Sequence, residues 1–336
     1  MKRIKKIIAV TVAVSMLAVA CMGCSQSTSS STAPASQAAT SQAPAAKTIK
    51  IGCAISTLTM TWPQYAVKAM QKEAQAEGID LIISDSNNDV EKQASNIENF
   101  ITQKVDGIIT NPINVTSLSN ALSEADKAGI PVAVFDRQAD ESSYTCFVGS
   151  DDVKAGRMAA DLINKTLNGK GTIVEIIGAN GASPSIDRHE GFTTELKKYP
   201  GLSVVFSQSG QFVRETGMTV MEEAINKTHS KFDAVYAAND DMMMGALQAM
   251  QASNIDLSKV FTISNDGIPD ALTAIKNGTL DATIQYPIAM APQALKNLAA
   301  FIKTKQAPES KDQKIDPFYI QNSNLSDADF YAELSK

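Results

Sequence analysis

The residues of this chain that could do chemistry follow short apolar runs. A first loop reads Ser56-Thr57-Leu58-Thr59-Met60-Thr61-Trp62-Pro63. Asp136-Arg137 follows a second run, and Asp187-Arg188 opens a helix after a Gly-containing loop. Phe212 precedes the Arg214 segment, Asn239-Asp240 and Asn265-Asp266-Gly267 close two further runs, and Gln285 lies in the last. Carboxylates, guanidiniums, amides and two aromatics are the set that a polyhydroxylated neutral ligand needs. Each hydroxyl is donor and acceptor, so Asp accepts, Arg donates through a planar fork, and Asn or Gln does both. The C–H face of a sugar ring can stack on Trp62 or Phe212. Adjacent Asp136 and Arg137 could also hold opposite charges of one ligand. Taken singly, each residue has a plainer role, because polar residues after strands often cap helices or make turns. Asp240, Asp241, Asp151 and Asp152 read as such caps, Trp62 also suits a core or lid position, and Met242-Met243-Met244 reads as core packing.

The elements that must position these residues alternate. Apolar runs at 49–54, 81–83, 107–110, 132–135, 172–177, 204–206, 234–237, 260–264 and 282–286 are separated mostly by segments of helical period, as at Tyr65-Ala69-Ala76 and Ile97-Phe100-Ile101. Short apolar strands alternating with helices predict a parallel sheet covered on both faces. In such sheets ligands bind beyond the carboxyl ends of the strands, where the polar residues above lie.

The chain also repeats itself. Gly78-Ile79-Asp80-Leu81-Ile82-Ile83-Ser84-Asp85-Ser86 parallels Gly201-Leu202-Ser203-Val204-Val205-Phe206-Ser207-Gln208-Ser209, and Val105 to Asn111 parallels Phe232 to Asn239. The offset grows from 123 to 127 residues, so one loop is longer in the second copy. Two α/β units in tandem predict two lobes with a cleft between them.

The N-terminus sets the compartment. Lys2, Arg3, Lys5 and Lys6 precede an uncharged apolar run from Ile7 to Ala20, too short to span a bilayer, and Cys21 follows. This pattern resembles a bacterial lipoprotein signal, with residues 1–20 removed and Cys21 lipidated; Cys24 is the alternative attachment site, and ordinary cleavage without a lipid is the other outcome. Two acyl chains anchor stably where one is marginal. Ser, Thr, Ala, Gln and Pro dominate the rest of residues 21–46, which predicts a flexible linker. The net charge is −6, and loss of the four N-terminal cations makes the exported form −10, which argues against nucleic acid as a partner. Cys53 and Cys146, flanked by apolar residues, read as buried free thiols. Two His residues and no Cys-rich spacing argue against a metal site.

At these residues the chain resembles a type I periplasmic binding protein of the ribose-binding group, the solute receptors of sugar ABC transporters. Ser56-Thr57-Leu58, Asp136-Arg137-Gln138-Ala139, Arg188 with Glu190-Gly191-Phe192, Asn239-Asp240 with Gly245-Ala246-Leu247, and Asp266-Gly267 with Pro269-Asp270 match its motifs in order. The resemblance implies two similar doubly wound parallel-sheet lobes joined by a three-segment hinge. Residues 47–150 plus 286–314 would form lobe 1, and 151–285 plus 315–336 lobe 2. It implies that Asp136, Arg137, Arg188, Asn239, Asp266 and Gln285 hydrogen-bond a sugar while Trp62 and Phe212 sandwich its ring; Ser56 and Met60 belong to the first-loop wall. Ribose binders usually carry Asn at the position of Met60 and Phe at that of Pro63, and one more residue before the glutamine. A pentose, hexose, furanose or polyol therefore all fit. No cofactor is implied. The implied partners are a permease and its ATPase, with the membrane reached through the lipid anchor and the receptor acting as a monomer.

Other functions fit less well. A glycosidase needs two carboxylates flanking a bond; Asp136 and Asp266 could supply them, but each has a hydrogen-bonding role. A dehydrogenase needs a Gly-rich turn where the first loop lacks glycine, and no Gly-x-Ser-x-Gly elbow occurs. A sugar sensor that hands ligand to a signalling receptor is the remaining alternative to transport.

Overall fold

A computed structural model describes residues 48–140 and 144–328. The signal segment, the linker, Cys21 and Cys24 lie outside the described residues.

The first half runs β1 (Lys50–Ile55), α1 (Thr61–Glu77), β2 (Asp80–Asp85), α2 (Val90–Thr102), β3 (Gly107–Thr110), α3 (Ser119–Lys127), β4 (Val132–Phe135) and β5 (Cys146–Ser150). The second runs α4 (Asp152–Thr166), β6 (Gly171–Ile177), α5 (Ser183–Leu196), β7 (Leu202–Ser209), α6 (Arg214–Thr228), β8 (Ala234–Ala237), α7 (Asp240–Ala252), β9 (Phe261–Asp266), α8 (Pro269–Lys276) and β10 (Ala282–Gln285). Then come α9 (Met290–Thr304), β11 (Asp312–Ile315) and β12 (Tyr319–Gln321).

Two six-stranded sheets result, ordered β11-β5-β4-β3-β1-β2 and β12-β10-β9-β8-β6-β7. Strand for strand the orders correspond, so the internal repeat is a repeat of topology: β2 and β7 are the matching edges, β3 and β8 the matching centres. All described pairings are parallel except β10 with β12. The chain passes between the sheets after Ser150, after Gln285, and between Ile315 and Tyr319. Helix α9 follows the second passage and packs on α1, β3, β4 and β5 of the first half.

Strands β3, β4, β8 and β10 are buried along their whole length, which is why β4 and β8 read as unbroken apolar runs rather than alternating ones. Cys53 and Cys146 are buried free thiols, and burial pushes both up to about 12. Met242, Met243 and Met244 are buried in the core. Helices α4 and α5 touch through glycine: a Cβ at Gly156 would lie 2.0 Å from the Arg188 carbonyl oxygen. That contact fixes the helix carrying Arg188 against α4.

Several boundaries differ from the sequence expectation. Strand β9 continues through Asn265-Asp266, and β10 stops at Gln285, leaving Tyr286 just beyond it. Helix α5 starts at Ser183 with Pro184 in its first turn, so Arg188 sits on the second turn rather than at the opening. The short edge strands β11 and β12 carry polar residues and give no apolar run.

Candidate functional site

A cavity of about 380 Å³ lies where the carboxyl ends of the two sheets face each other. Met60, Trp62, Asp136, Arg137, Arg188, Phe212, Asn239 and Asp266 line it, together with Pro63, Pro184, Asp241 and Tyr286. Ser56 and Gln285 are not among its lining residues. Ser56 turns into the first half, where its N–H donates to Asn111 Oδ1 (2.8 Å) and its hydroxyl accepts from Asn111 Nδ2 (3.0 Å). Gln285 pairs with Asp266 in the β9–β10 ladder, so strand alternation brings the next residue, Tyr286, to the cavity.

Strand ends aim the acids. Asp136 follows β4 with φ +63°, and Asp266 ends β9 with φ +124°. Phe212 also has positive φ, at +61°. Such backbone is costly for side chains with a Cβ and concentrates at functional sites. The Phe212 ring lies where a Cβ on Gly178 would be, 2.2 Å away, so only glycine there leaves it room.

Each charged group is braced. Asn111 Nδ2 donates to Asp136 Oδ2 (2.9 Å) and the Tyr286 hydroxyl donates to Oδ1 (2.8 Å). Arg137 Nε lies 3.8 Å from Asp136 Oδ2, and its Nη1 donates to the Ile113 carbonyl. Arg188, 2 % exposed, donates from Nε to Asp152 Oδ1 (2.8 Å) and from Nη1 to the Ala238 carbonyl (2.6 Å), with Asp266 Oδ1 at 3.7 Å. Its Nη2 is buried without a protein partner. Burial alone would lower the Arg188 pKa, but Asp152, Tyr286 and Asp266 more than offset it, and the guanidinium stays charged. Burial pushes the Asp152 carboxyl up to about 6 and that of Asp266 well above its usual value, against the pull of Arg188.

The aromatic walls are asymmetric. Trp62 packs against Tyr286 with centroids 4.9 Å apart and donates from its indole to the Tyr286 carbonyl (3.2 Å). Arg188 lies over the Tyr286 ring at 4.4 Å, and Arg137 over Phe212 at 5.7 Å.

Two capping expectations change. Asn239, not Asp240 or Asp241, caps α7: its Oδ1 accepts from the Met242 N–H. Asp240 instead lies beneath Asp266, accepting from the Ser264 and Thr283 hydroxyls and the Gly267 and Ile268 N–H groups. Burial pushes it up to about 7. Asp151 does cap α4, through the Lys154 N–H, while Asp152 turns to Arg188. Sequence reasoning missed Tyr286, Asp241, Asp152 and Asn111 as parts of the site. Asn111 closes β3 as Asn239 closes β8, so the internal repeat was the signal for it; Asp241 and Asp152 carried none beyond their charge.

Donors and acceptors of this kind, converging in a small cavity between aromatic walls, can hold several hydroxyls of one compact ligand. Among the described residues no cluster of His, Cys, Asp or Glu could hold a metal, and no helix is long and apolar enough to cross a membrane.

Known proteins have the same plan. The ribose import binding protein RbsB of Bacillus subtilis is 37% identical over 75% of this chain and 80% of its own length. The galactofuranose-binding protein YtfQ of Escherichia coli is 35% identical over 74% of this chain and 80% of its length. A solved ABC transporter solute binding protein from Bacillus halodurans, with bound myo-inositol, superimposes with a TM-score of 0.79 at 30% identity, covering 87% of this chain and 100% of that one. Residues 51–306 match the periplasmic binding protein domain, and with that match and these identities the chain belongs to the periplasmic binding protein family.

Proposed function

We propose that the protein is an extracytoplasmic receptor that binds one monosaccharide or polyol in this cavity and delivers it to an ABC transporter permease. The observation that carries the reading is Arg188: a buried, charged guanidinium on the cavity wall whose Nη2 has no protein partner, with the carboxylates of Asp136 and Asp266 lining the same cavity. A buried donor left unmade costs about 1–3 kcal/mol, and a sugar oxygen would satisfy it. Asp136, Arg137, Arg188, Asn239 and Asp266 are the hydrogen-bonding residues in this reading. Trp62 and Phe212 supply the apolar walls, Met60 the first-loop wall, and Tyr286 takes the place given to Gln285. Ser56 acts through Asn111 rather than on ligand. Ligand joined to both halves favours the closed arrangement by its differential affinity for it. The relatives' ligands, ribose, galactofuranose and myo-inositol, support a compact polyhydroxylated ligand. The lipid on Cys21, or on Cys24, would keep the receptor at the membrane beside its permease.

A thermal-shift screen over pentoses, hexoses in furanose and pyranose form, and cyclic polyols tests this reading. One or a few ligands should raise the melting temperature, and each should alter the emission of Trp62, the only tryptophan. A screen with no stabilising sugar or polyol would count against the function. A sugar that binds by calorimetry without altering the emission would remove Trp62 from the wall.

A further inference from the structure

Helix α1 begins without a cap of its own. Its N-cap residue is Met60, whose side chain makes no capping bond. Helices α2, α4 and α7 are capped by Asp89, Asp151 and Asn239, whereas α3, α5, α6, α8 and α9, like α1, have no bond from their own N-cap side chain. The α1 terminus is satisfied from the other half of the molecule. Asp241 Oδ2 accepts the Thr61 N–H at 3.2 Å, and its Oδ1 accepts the Thr61 hydroxyl at 3.2 Å. Arg214 Nη2 holds the same Oδ1 at 2.9 Å and is itself held by Asp270 at 2.8 Å. Thr61 and Asp241 are 180 residues apart, on helices that follow strands of different sheets.

We infer that Asp241 is an N-cap supplied across the cleft, and that this contact sets how long ligand is held by stabilising closure itself. A carboxylate at a helix N-terminus is favoured by the helix dipole, and its bonds to the first-turn N–H and hydroxyl are charge-assisted. Both bonds exist only while the halves meet; on opening, water replaces them and the Arg214 pairing stays with Asp241. Three protein donors take up most of the acceptor capacity of Asp241, so its part is closure more than ligand recognition. A bond made only in the closed state raises the closed fraction before ligand arrives, and apparent affinity rises with that fraction. The inference takes the cavity to be the ligand site, as proposed above, but the cap itself needs no ligand.

Thr61→Pro tests it. Proline is well tolerated as the first residue of a helix, and Met60 is already extended (φ −94°, ψ 151°), as a residue before proline must be. The change removes both Thr61 donors, and Thr61 is not among the residues lining the 380 Å³ cavity. By small-angle scattering, the ligand-free full chain should have a larger radius of gyration than the wild type. In stopped-flow on Trp62 emission, with D-ribose or myo-inositol as probe, release should speed up about tenfold while association changes less than about twofold. Arg214→Gln should shift both measurements the same way by a smaller amount. If Thr61→Pro fails to fold, Thr61→Val and Arg214→Gln carry the same two measurements. An unchanged ligand-free radius of gyration, or an unchanged release rate, overturns the inference. The scattering comparison uses no sugar, so its outcome stands whether or not the cavity takes a sugar.

Discussion

Arg188→Met is expected to abolish ligand binding and to destabilise the protein by about 3–5 kcal/mol, the cost of breaking a buried ion pair by removing one partner. Asp152 loses the donor at 2.8 Å and Asp266 loses its neighbouring guanidinium, and both carboxylates are buried. The pH dependence follows from the direction of the shifts. Burial already holds the Asp152 carboxyl at about 6 against an ordinary value of 3.8, and Arg188 pulls it down. Without Arg188 it goes higher. A carboxyl raised in the folded state is most compatible with folding below its unfolded value, and that compatibility is lost as pH rises through the folded value. The defect should therefore be smallest below about pH 6, where Asp152 is protonated with or without Arg188, and grow as pH rises above it. Urea melts at pH 7.5 and pH 5 check it; a defect that grows on acidification would contradict the assignment of Arg188 as the counter-charge of these two acids.

Asp136→Ala acts on ligand more than on fold. It removes the acceptor of the Tyr286 hydroxyl and of Asn111 Nδ2, both buried, and takes away the carboxylate beside Arg137. Stranding donors of this kind, together with the lost ligand contact, should weaken binding by about 2–4 kcal/mol, or roughly 30- to 1000-fold. Calorimetry with the ligand from the screen measures it, and a loss below about threefold would remove Asp136 from the site.

The contrast between these residues and the ones the sequence did not reveal has a physical basis. Asp136 and Asp266 were legible because parallel sheets present ligand groups at strand ends, and the apolar runs of β4 and β9 marked those ends. Arg188 was legible as a residue but misplaced on its helix, because Pro184 lets α5 begin at Ser183, earlier than the charged pair suggested. Tyr286 was not legible because a one-residue change in where β10 stops exchanges the side chain reaching the cavity, and an apolar run does not define its own last residue. The roles of Asp240 and Asp241 were hidden for another reason. Acidic residues just inside a helix look like local first-turn charges, whereas here they satisfy the starts of α8 and α1, which are distant in sequence. The two-sheet plan was legible because the repeat carries strand order with it, while β11 and β12 were not, being short polar edges.

A crystal structure of the protein with its highest-affinity ligand from the screen tests the central claim most directly. The account predicts one sugar or polyol inside the 380 Å³ cavity. A ligand oxygen should lie about 3 Å from Arg188 Nη2, hydroxyls should donate to Asp136 and Asp266, and a C–H face should lie against Phe212 or Trp62. A ligand bound elsewhere, or one inside the cavity that leaves Arg188 Nη2 without an acceptor, would contradict it.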